Sequence, residues 1–201
     1  MRLVLLGAPG AGKGTQADAI SKRYCVPHLS TGDILRAEVR SETKLGLAIR
    51  STIDSGKLVP DDVIADVVAQ RLLQGDAARG FILDGFPRSV PQARWLDGLL
   101  SDDRIDAVVE LVVDEAVVLA RVINRARLAR ENATDVRKDD DVETMRVRLE
   151  AYKVATLPLS AYYERQGLLH RIDGMMAVDR VTAEIFKAAD ATMRGRPVDA
   201  C

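Results

Sequence analysis

The sequence predicts an α/β protein with a five-stranded parallel sheet flanked by helices. Short apolar runs alternate with longer segments of helical periodicity, which is typical of a parallel sheet whose crossovers are helices. A glycine-rich stretch at residues 7–15 (GAPGAGKGT) follows the first apolar run and precedes a helical pattern. Together these observations indicate a P-loop sheet, with a phosphate-binding loop after its first strand.

Five apolar segments qualify as strands, at residues 2–6, 27–29, 81–84, 107–113 and 168–172. Right-handed crossovers bring the carboxyl ends of parallel strands to one edge of the sheet, and ligands bind outside that edge. We therefore expect the segments that follow the strands to line a common site.

Two segments interrupt the alternation of strands and helices. Residues 31–59 hold two or three short helical patterns with no strand between them, which predicts an inserted helical subdomain. Residues 127–141 (RLARENATDVRKDDD) are polar and charged throughout. This composition fits either a mobile flap or a disordered surface loop, and the sequence favours neither.

The composition indicates a globular protein without a general affinity for nucleic acid or membranes. Of its 201 residues 47% are apolar, and 29 basic residues nearly balance 30 acidic ones. The chain can therefore bury a sizeable core, and any basic site must be local. The most apolar long stretch, residues 105–122, carries several charges and is a poor membrane span. We expect no nucleic-acid partner and no membrane.

The two cysteines, Cys25 and Cys201, are far apart and lack the C-x-x-C spacing of metal sites. They indicate neither a disulfide framework nor a zinc site, which favours a reducing compartment. We therefore expect a cytoplasmic protein.

The glycine-rich stretch has the spacing G-x-x-x-x-G-K, with Lys13 as the lysine. Its glycines allow main-chain N–H groups to approach a phosphate, the helix N-terminus favours an anion, and Lys13 adds a positive charge. A plain glycine-rich turn is the simpler alternative. Gly14 stands where such loops usually carry a hydroxyl ligand for Mg²⁺, so magnesium needs another anchor.

The candidate for that anchor is Asp84, which ends a buried apolar strand and begins the sequence DGFPR. A carboxylate is costly at such a position unless it meets a cation, a donor or a metal-bound water. Arg88 offers a planar fork suited to phosphate, and Gln92, one helical turn later, offers an amide that can bind a base edge. A capped turn without further function is the alternative.

Other candidate residues are arginines and the segment after the second strand. Thr31 and Arg36 lie in that segment, STGDILR, which also suits a helix N-cap. Four further arginines flank or lie in the polar segment: Arg121, Arg125, Arg137 and Arg148. Singly each is a plausible surface charge, whereas together they suggest a clamp around phosphates. Neither of the two histidines, His28 and His170, has a serine or cysteine neighbour in the pattern of a catalytic triad.

These motifs together resemble the adenylate kinases, within the nucleoside monophosphate kinases. The matching segments are GAPGAGKGT at 7–15, STGDILR at 30–36, GKLVPD at 56–61, GFILDGFPRSVPQA at 80–93 and RKDD at 137–140. The resemblance covers almost the whole chain. It implies reversible phosphoryl transfer from ATP·Mg²⁺ to AMP, giving two ADP.

The resemblance also implies a role for individual residues. The catalytic cations would be Lys13, Arg88, Arg121, Arg125, Arg137 and Arg148. ATP would be bound by Gly10, Ala11, Gly12, Lys13, Gly14, Thr15, Arg125 and Gly174. AMP would be bound by Thr31, Arg36, Lys57, Leu58, Val59, Gly85, Phe86, Pro87, Arg88, Gln92, Arg137 and Arg148. Magnesium would be held through water near Asp84.

The domains implied are a core at 1–30, 60–125 and 139–201, an AMP-binding insert at 31–59 and a lid at 126–138. The lid is the short form, without cysteine or histidine, so no structural zinc is expected. We also expect a monomer whose partners are ATP, AMP and ADP. A pyrimidine (UMP/CMP) monophosphate kinase is the nearest alternative, although Thr31 and Gln92 favour AMP. A P-loop regulatory protein gated by nucleotide is a further alternative.

Overall fold

A computed structural model describes residues 1–101, 103–131 and 141–192. It confirms the predicted α/β fold, with five parallel strands in one sheet of order β2-β3-β1-β4-β5. The strands are β1 (Arg2–Gly7), β2 (His28–Ser30), β3 (Phe81–Asp84), β4 (Ala107–Val112) and β5 (Leu169–Asp173). Each begins and ends within about one residue of its predicted bounds, as expected for strands marked by apolar runs.

The helices cover both faces of the sheet. They are α1 (Lys13–Tyr24), α2 (Thr31–Arg40), α3 (Lys44–Asp54), α4 (Asp61–Leu72), α5 (Val90–Leu100), α6 (Glu115–Glu131), α7 (Val142–Ala151), α8 (Pro158–Arg165) and α9 (Val178–Thr192). A short 3₁₀ turn occupies Gly75–Ala77, and a π-helical turn occupies Tyr152–Thr156.

The central strand β1 contributes to two cores because alternate side chains of a strand point to opposite faces. Leu3 and Leu5 pack with α1 and α9 on one face. Val4 and Leu6 pack with α5 and α8 on the other. This burial on both sides explains why β1 is an uninterrupted apolar run.

The strand register brings three carboxyl ends together. Asp84 of β3 lies beside Leu5 of β1 and beside Ser30 of β2. The loops that follow these three strands therefore begin as neighbours at one edge of the sheet, as predicted.

The segment 31–59 contains α2 and α3 and no strand. Each helix has a side-chain N-cap, since Ser30 accepts from the N–H of Asp33 and Thr43 accepts from the N–H of Gly46. The two helices meet closely at Gly46, where an added Cβ would lie 2.0 Å from the carbonyl oxygen of Glu38. Only glycine allows this approach.

The polar segment 127–141 is partly helical, in contrast to the flap or disordered loop expected from its composition. Helix α6 continues to Glu131, and Arg127 forms an ion pair with Glu131 at 2.6 Å. Pairs with this i, i+4 spacing stabilise a helix that buries little. At the other end, Asp141 caps α7 by accepting from the N–H of Thr144. Residues 132–140 lie outside the described residues.

A π-helical turn at Tyr152–Thr156 lies between α7 and α8, just before Pro158. The N–H of Leu157 donates to the carbonyl of Tyr152, five residues back, at 2.9 Å. Proline has no N–H for an intrahelical bond, which favours a change of helix geometry before position 158.

Cys25 follows α1 with a φ of 51° and is disulfide-bonded. The spacing of the cysteines did not indicate this bond, because distance along the chain does not report distance in the fold. The other cysteine of the sequence, Cys201, lies outside the described residues. Among the described residues no helix is long and apolar enough to cross a membrane.

The close packing of α2 and α3 predicts opposite effects for two glycine substitutions. We expect Gly46→Ala to destabilise the protein by about 1–3 kcal/mol, because the new methyl group overlaps backbone. Gly98→Ala should stabilise it by about 0.5–1 kcal/mol, because Gly98 lies in α5 with open space around it. Urea unfolding of both variants measures this, and equal stabilities would contradict the packing described.

Candidate active site

The loop after β1 has the backbone of a phosphate-binding loop. Gly7, Gly10 and Gly12 have positive φ angles of 142°, 85° and 100°. A Cβ on Gly10 would lie 2.9 Å from the side chain of Val122, whereas Gly12 has open space around it. Helix α1 begins at Lys13 without a side-chain cap. The N–H groups of its first turn can therefore bind an anion.

Lys13 lies inside this loop, where its Nζ donates to the carbonyls of Gly7 at 2.8 Å and Ala8 at 3.0 Å. Burial lowers the pKa of Lys13 to about 8. The Asp84 charge acts in the opposite direction, whereas Arg88, Arg148 and Arg125 lower this pKa further. The charges of the predicted cations therefore act on one another in a single site.

A cavity of about 570 Å³ lies over the carboxyl edge of the sheet. Its lining joins the phosphate loop to the polar and charged residues after the other strands. Among the predicted site residues the lining includes Gly10, Gly12, Lys13, Gly14, Thr15, Arg36, Leu58, Asp84, Gly85, Pro87, Arg88, Arg121, Arg125 and Arg148. Segments that follow β1, β2, β3 and β4 thus line a common site, whereas the described residues after β5 do not line it.

Asp84 lines this cavity, and its carboxylate has a hydrogen-bond partner in His28. Its Oδ2 is 3.4 Å from Nε2 of His28, whose Nδ1 lies 3.5 Å from Oδ1 of Asp18. Burial alone would raise the pKa of Asp84, but the hydrogen bond with His28 and the charge of Lys13 lower it below its usual range. Asp84 is therefore a carboxylate, 13% exposed, that remains ionised.

His28 is a site residue that the sequence did not identify. Burial acts to lower its pKa, but the hydrogen bond and charge of Asp84, with the charge of Asp18, raise it overall. The signal available in the sequence was only its position in the second strand. Its partners, Asp18 and Asp84, come from α1 and β3, and the sequence does not show that they are close.

The turn after β3 positions Arg88. Gly85 has a φ of 82°, and an added Cβ would lie 2.8 Å from Oγ1 of Thr31 and 3.2 Å from Nη2 of Arg88. Nε of Arg88 donates to the carbonyl of Gly85 at 2.7 Å, and Oγ1 of Thr156 donates to the carbonyl of Arg88 at 2.9 Å. The glycine thus makes room for the guanidinium, and the π-helical turn holds the backbone that carries it.

A smaller cavity adjoins the insert and contains most residues predicted for AMP. Its lining includes Thr31, Arg36, Lys57, Leu58, Val59, Gly85, Arg88, Gln92 and Arg148. Phe86 lines neither cavity, because it is fully buried and packs edge-to-face against Trp95 at a centroid distance of 5.8 Å. Arg137 lies outside the described residues.

Arg121 connects two segments of the site. Its guanidinium donates to the carbonyl of Ala11 at 3.2 Å and to the carbonyl of Gly174 at 2.9 Å. Ala11 and Gly174 themselves are not among the residues that line the two cavities. Gly174 packs against β4, where an added Cβ would lie 2.5 Å from the side chain of Val113.

The sequence also missed the residues that hold Arg88 and Gln92. Asp61 accepts from Nε2 of Gln92 at 2.6 Å, and Thr156 binds the carbonyl of Arg88. Asp61 stands in the segment GKLVPD, whose pattern gives no indication of its partner. Both contacts depend on side chains brought together from distant parts of the chain.

Comparison with known proteins agrees with this geometry. Residues 5–168 match the family model described as adenylate kinase. The chain belongs to the adenylate kinase family. As an adenylate kinase it is a phosphotransferase that acts on a nucleoside monophosphate, and the pyrimidine-specific alternative is not favoured.

Several relatives named adenylate kinase resemble the chain over nearly its full length. That of Methylorubrum populi is 52% identical, covering 94% of this chain and 96% of the relative. That of Azorhizobium caulinodans is 51% identical, covering 92% of this chain and 96% of the relative. That of Methylobacterium nodulans is 47% identical, covering 100% of both.

The lowered pKa of Lys13 predicts pH-dependent anion binding. A bound phosphate favours the protonated lysine and raises its pKa, so binding above pH 8 must take up a proton. We therefore expect the Kd for ATP to rise by up to about tenfold per pH unit above pH 8. Calorimetry in two buffers of different ionisation enthalpy measures the proton uptake directly.

Lys13→Gln is the control for this titration. It should bind ATP more weakly and with little change in affinity between pH 7.5 and 9.5. An affinity of the unmodified protein that stays constant across this range would contradict the assignment of Lys13 as the titrating group.

Proposed function

We propose that the site binds ATP·Mg²⁺ at the phosphate loop and AMP beside the insert, and transfers a phosphoryl group between them to give two ADP. The observation that carries this proposal is the lining of one cavity by both the phosphate loop and Arg36, Arg88 and Arg148. A protein that only bound or hydrolysed ATP would need the loop but not this second group of arginines.

The ATP half consists of Gly10 to Thr15 with Arg125. Loop N–H groups and the α1 N-terminus bind phosphate oxygens, and Lys13 neutralises charge where the transferred group lies. Arg121 acts here chiefly by joining the loop to the segment after β5. That connection places the carbonyl of Gly174 beside the same guanidinium.

The AMP half lies between the insert and the turn after β3. Arg36, Arg88 and Arg148 bind the acceptor phosphate, and Arg137 is assigned to the same group by the family resemblance. Thr31, Lys57, Leu58, Val59 and Gln92 form the base pocket, with Gly85 leaving space for the nucleotide. Phe86 and Pro87 shape the turn that carries Arg88.

Asp84 fits a magnesium site in which the metal is held through water. Its carboxylate is largely buried yet ionised, lines the cavity beside the phosphate loop, and offers the hard oxygen ligand that Mg²⁺ prefers. Magnesium bound there would neutralise negative charge on the ATP phosphates.

Among the described residues no cluster of three or more His, Cys, Asp and Glu side chains suits a metal. We expect no structural zinc.

The reaction needs no activated side-chain nucleophile, because the attacking and leaving groups are both phosphate oxygens. The protein contributes alignment of donor and acceptor, neutralisation of charge by its cations, and exclusion of water. We assign exclusion of water to the insert at 31–59 and to a lid at 126–138 that close over the core at 1–30, 60–125 and 139–201. Within the lid, residues 132–138 lie outside the described residues.

We further propose that the enzyme acts as a cytoplasmic monomer on free nucleotides, without a nucleic-acid or membrane partner. The near balance of 29 basic and 30 acidic residues supports the absence of a general polyanion-binding surface. The nucleotide substrates support the cytoplasmic assignment. The cysteines do not support it, because Cys25 is disulfide-bonded. Sedimentation at micromolar concentration tests the oligomeric state.

A ligand that links two adenosines through five phosphates tests the two-nucleotide site. Titration calorimetry should show this ligand binding at least about 100-fold more tightly than ATP alone, because linking two ligands makes the second binding event intramolecular. Affinity no better than that of ATP would instead favour a nucleotide-gated regulatory protein with one site.

Arg88→Ala should lower kcat/KM for AMP by roughly 10²–10⁴, equivalent to about 3–5 kcal/mol for the loss of a desolvated phosphate contact. A coupled assay of ADP formation at varied AMP measures this. Arg94→Ala is the matched control, since Arg94 is exposed on the next helix and lines neither cavity. Equal kinetics in the two variants would remove Arg88 from the site.

A further inference from the structure

The amide of Gln92 is held at both ends by protein groups. Gln92 is 4% exposed and lines the smaller cavity. Its Oε1 accepts from the backbone N–H of Arg88 at 2.6 Å. Its Nε2 donates to Oδ1 of Asp61, also at 2.6 Å. Both bonds are short, and one of them involves a charged acceptor, which strengthens it.

These two partners permit only one orientation of the amide. A backbone N–H can only donate, and a carboxylate can only accept. Rotating the amide by 180° would place two donors together at Arg88 and two acceptors together at Asp61. The assignment of oxygen and nitrogen therefore follows from the chemistry of the partners.

Both partners are themselves fixed in place. Asp61 lies in the first turn of α4 and also accepts from Oγ of Ser89 at 3.2 Å. Ser89 is the N-cap of α5 and accepts from the N–H of Gln92. On the other side, the carbonyl of Arg88 is held by Thr156. The amide thus lies between two groups that further hydrogen bonds hold in position.

After these bonds are made, the amide retains one donor and one acceptor for a ligand. Nε2 has a second N–H, and Oε1 has a second lone pair. Asp61 does not line either cavity. We therefore treat Asp61 as a positioning residue that acts on a bound base through Gln92.

We propose that Asp61 determines the base specificity of the acceptor nucleotide by fixing the orientation of the Gln92 amide. The inference rests on the proposed binding of the acceptor base beside Gln92. In the fixed orientation the site selects a base that places an exocyclic amino donor against Oε1 and a ring-nitrogen acceptor against Nε2. A 6-aminopurine satisfies this pattern, and a 6-oxopurine reverses it.

AMP and IMP form the most informative pair of substrates. Adenine offers the 6-amino donor beside the N1 acceptor, whereas hypoxanthine offers the 6-oxo acceptor beside the N1–H donor. The two nucleotides share their ribose, phosphate and ring size. A site with a fixed amide leaves its own polar groups unpaired when it meets IMP, which is the stronger form of discrimination.

The test compares kcat/KM for AMP and IMP in the unmodified enzyme and in Asp61→Asn, which keeps the shape but loses the obligatory acceptor. We expect the AMP/IMP ratio to fall by about tenfold, because the neutral amide at position 61 can also donate and so no longer forbids the rotated Gln92 amide, while the N–H of Arg88 still opposes it. Asp61→Ala should lower the ratio as well. Asp62→Asn is the matched control, because Asp62 is exposed on the same first turn of α4 and lines neither cavity.

A purely structural role for Asp61 predicts a different result. Activity on AMP and on IMP would then fall together, the ratio would stay constant, and the inference would be overturned. A ratio that falls equally in Asp62→Asn would also overturn it, because helix charge would then be the cause. An unmodified enzyme inactive on AMP would contradict the proposed function and the inference with it, whereas an active one with an unchanged ratio contradicts the inference alone.

Discussion

Parallel alignment of the strands is the constraint on which the site depends. Because β1 lies between β3 and β4, and β3 pairs with β2, the residues that leave these strands begin side by side. The N-terminus of α1, the carboxylate of Asp84 and the capped turn before α5 then meet without any long loop. The functional residues are concentrated at one edge because parallel pairing places the carboxyl ends of all these strands there.

Concentrating cations at that edge has an electrostatic consequence for the free enzyme. Burial and the positive charges of Arg88, Arg148 and Arg125 lower the pKa of Lys13, and the charge of Asp84 opposes them. The positive charges of the site repel one another in the free enzyme and attract a polyphosphate. Binding of a nucleotide therefore reduces the repulsion among these cations. The charges of the site are balanced in the complex and not in the free enzyme.

Much of the fold and part of the site follow from local patterns. The strands are apolar runs bounded by turn residues, and the phosphate loop is defined by the spacing of glycines and Lys13, so one sequence suffices to predict them. The contacts of Asp61 with Gln92, of Thr156 with Arg88 and of Arg121 with Gly174 join distant segments. Nothing in their local sequence encodes the partner. The extension of α6 to Glu131 was missed because charge-rich helices and charge-rich loops have similar compositions.

The π-helical turn at Tyr152–Thr156 carries one residue more than an α-helical path would need. Each residue advances a helix by about 100° around its axis. The extra residue therefore determines how α7 is rotated about its axis relative to α8, which begins at Pro158. Arg148 lies on α7 one turn before the widened segment, and its approach to the cavity depends on that rotation. The extra residue thus sets the direction in which α7 presents Arg148, and a variant that lacked it would rotate the arginine by about 100° relative to the core.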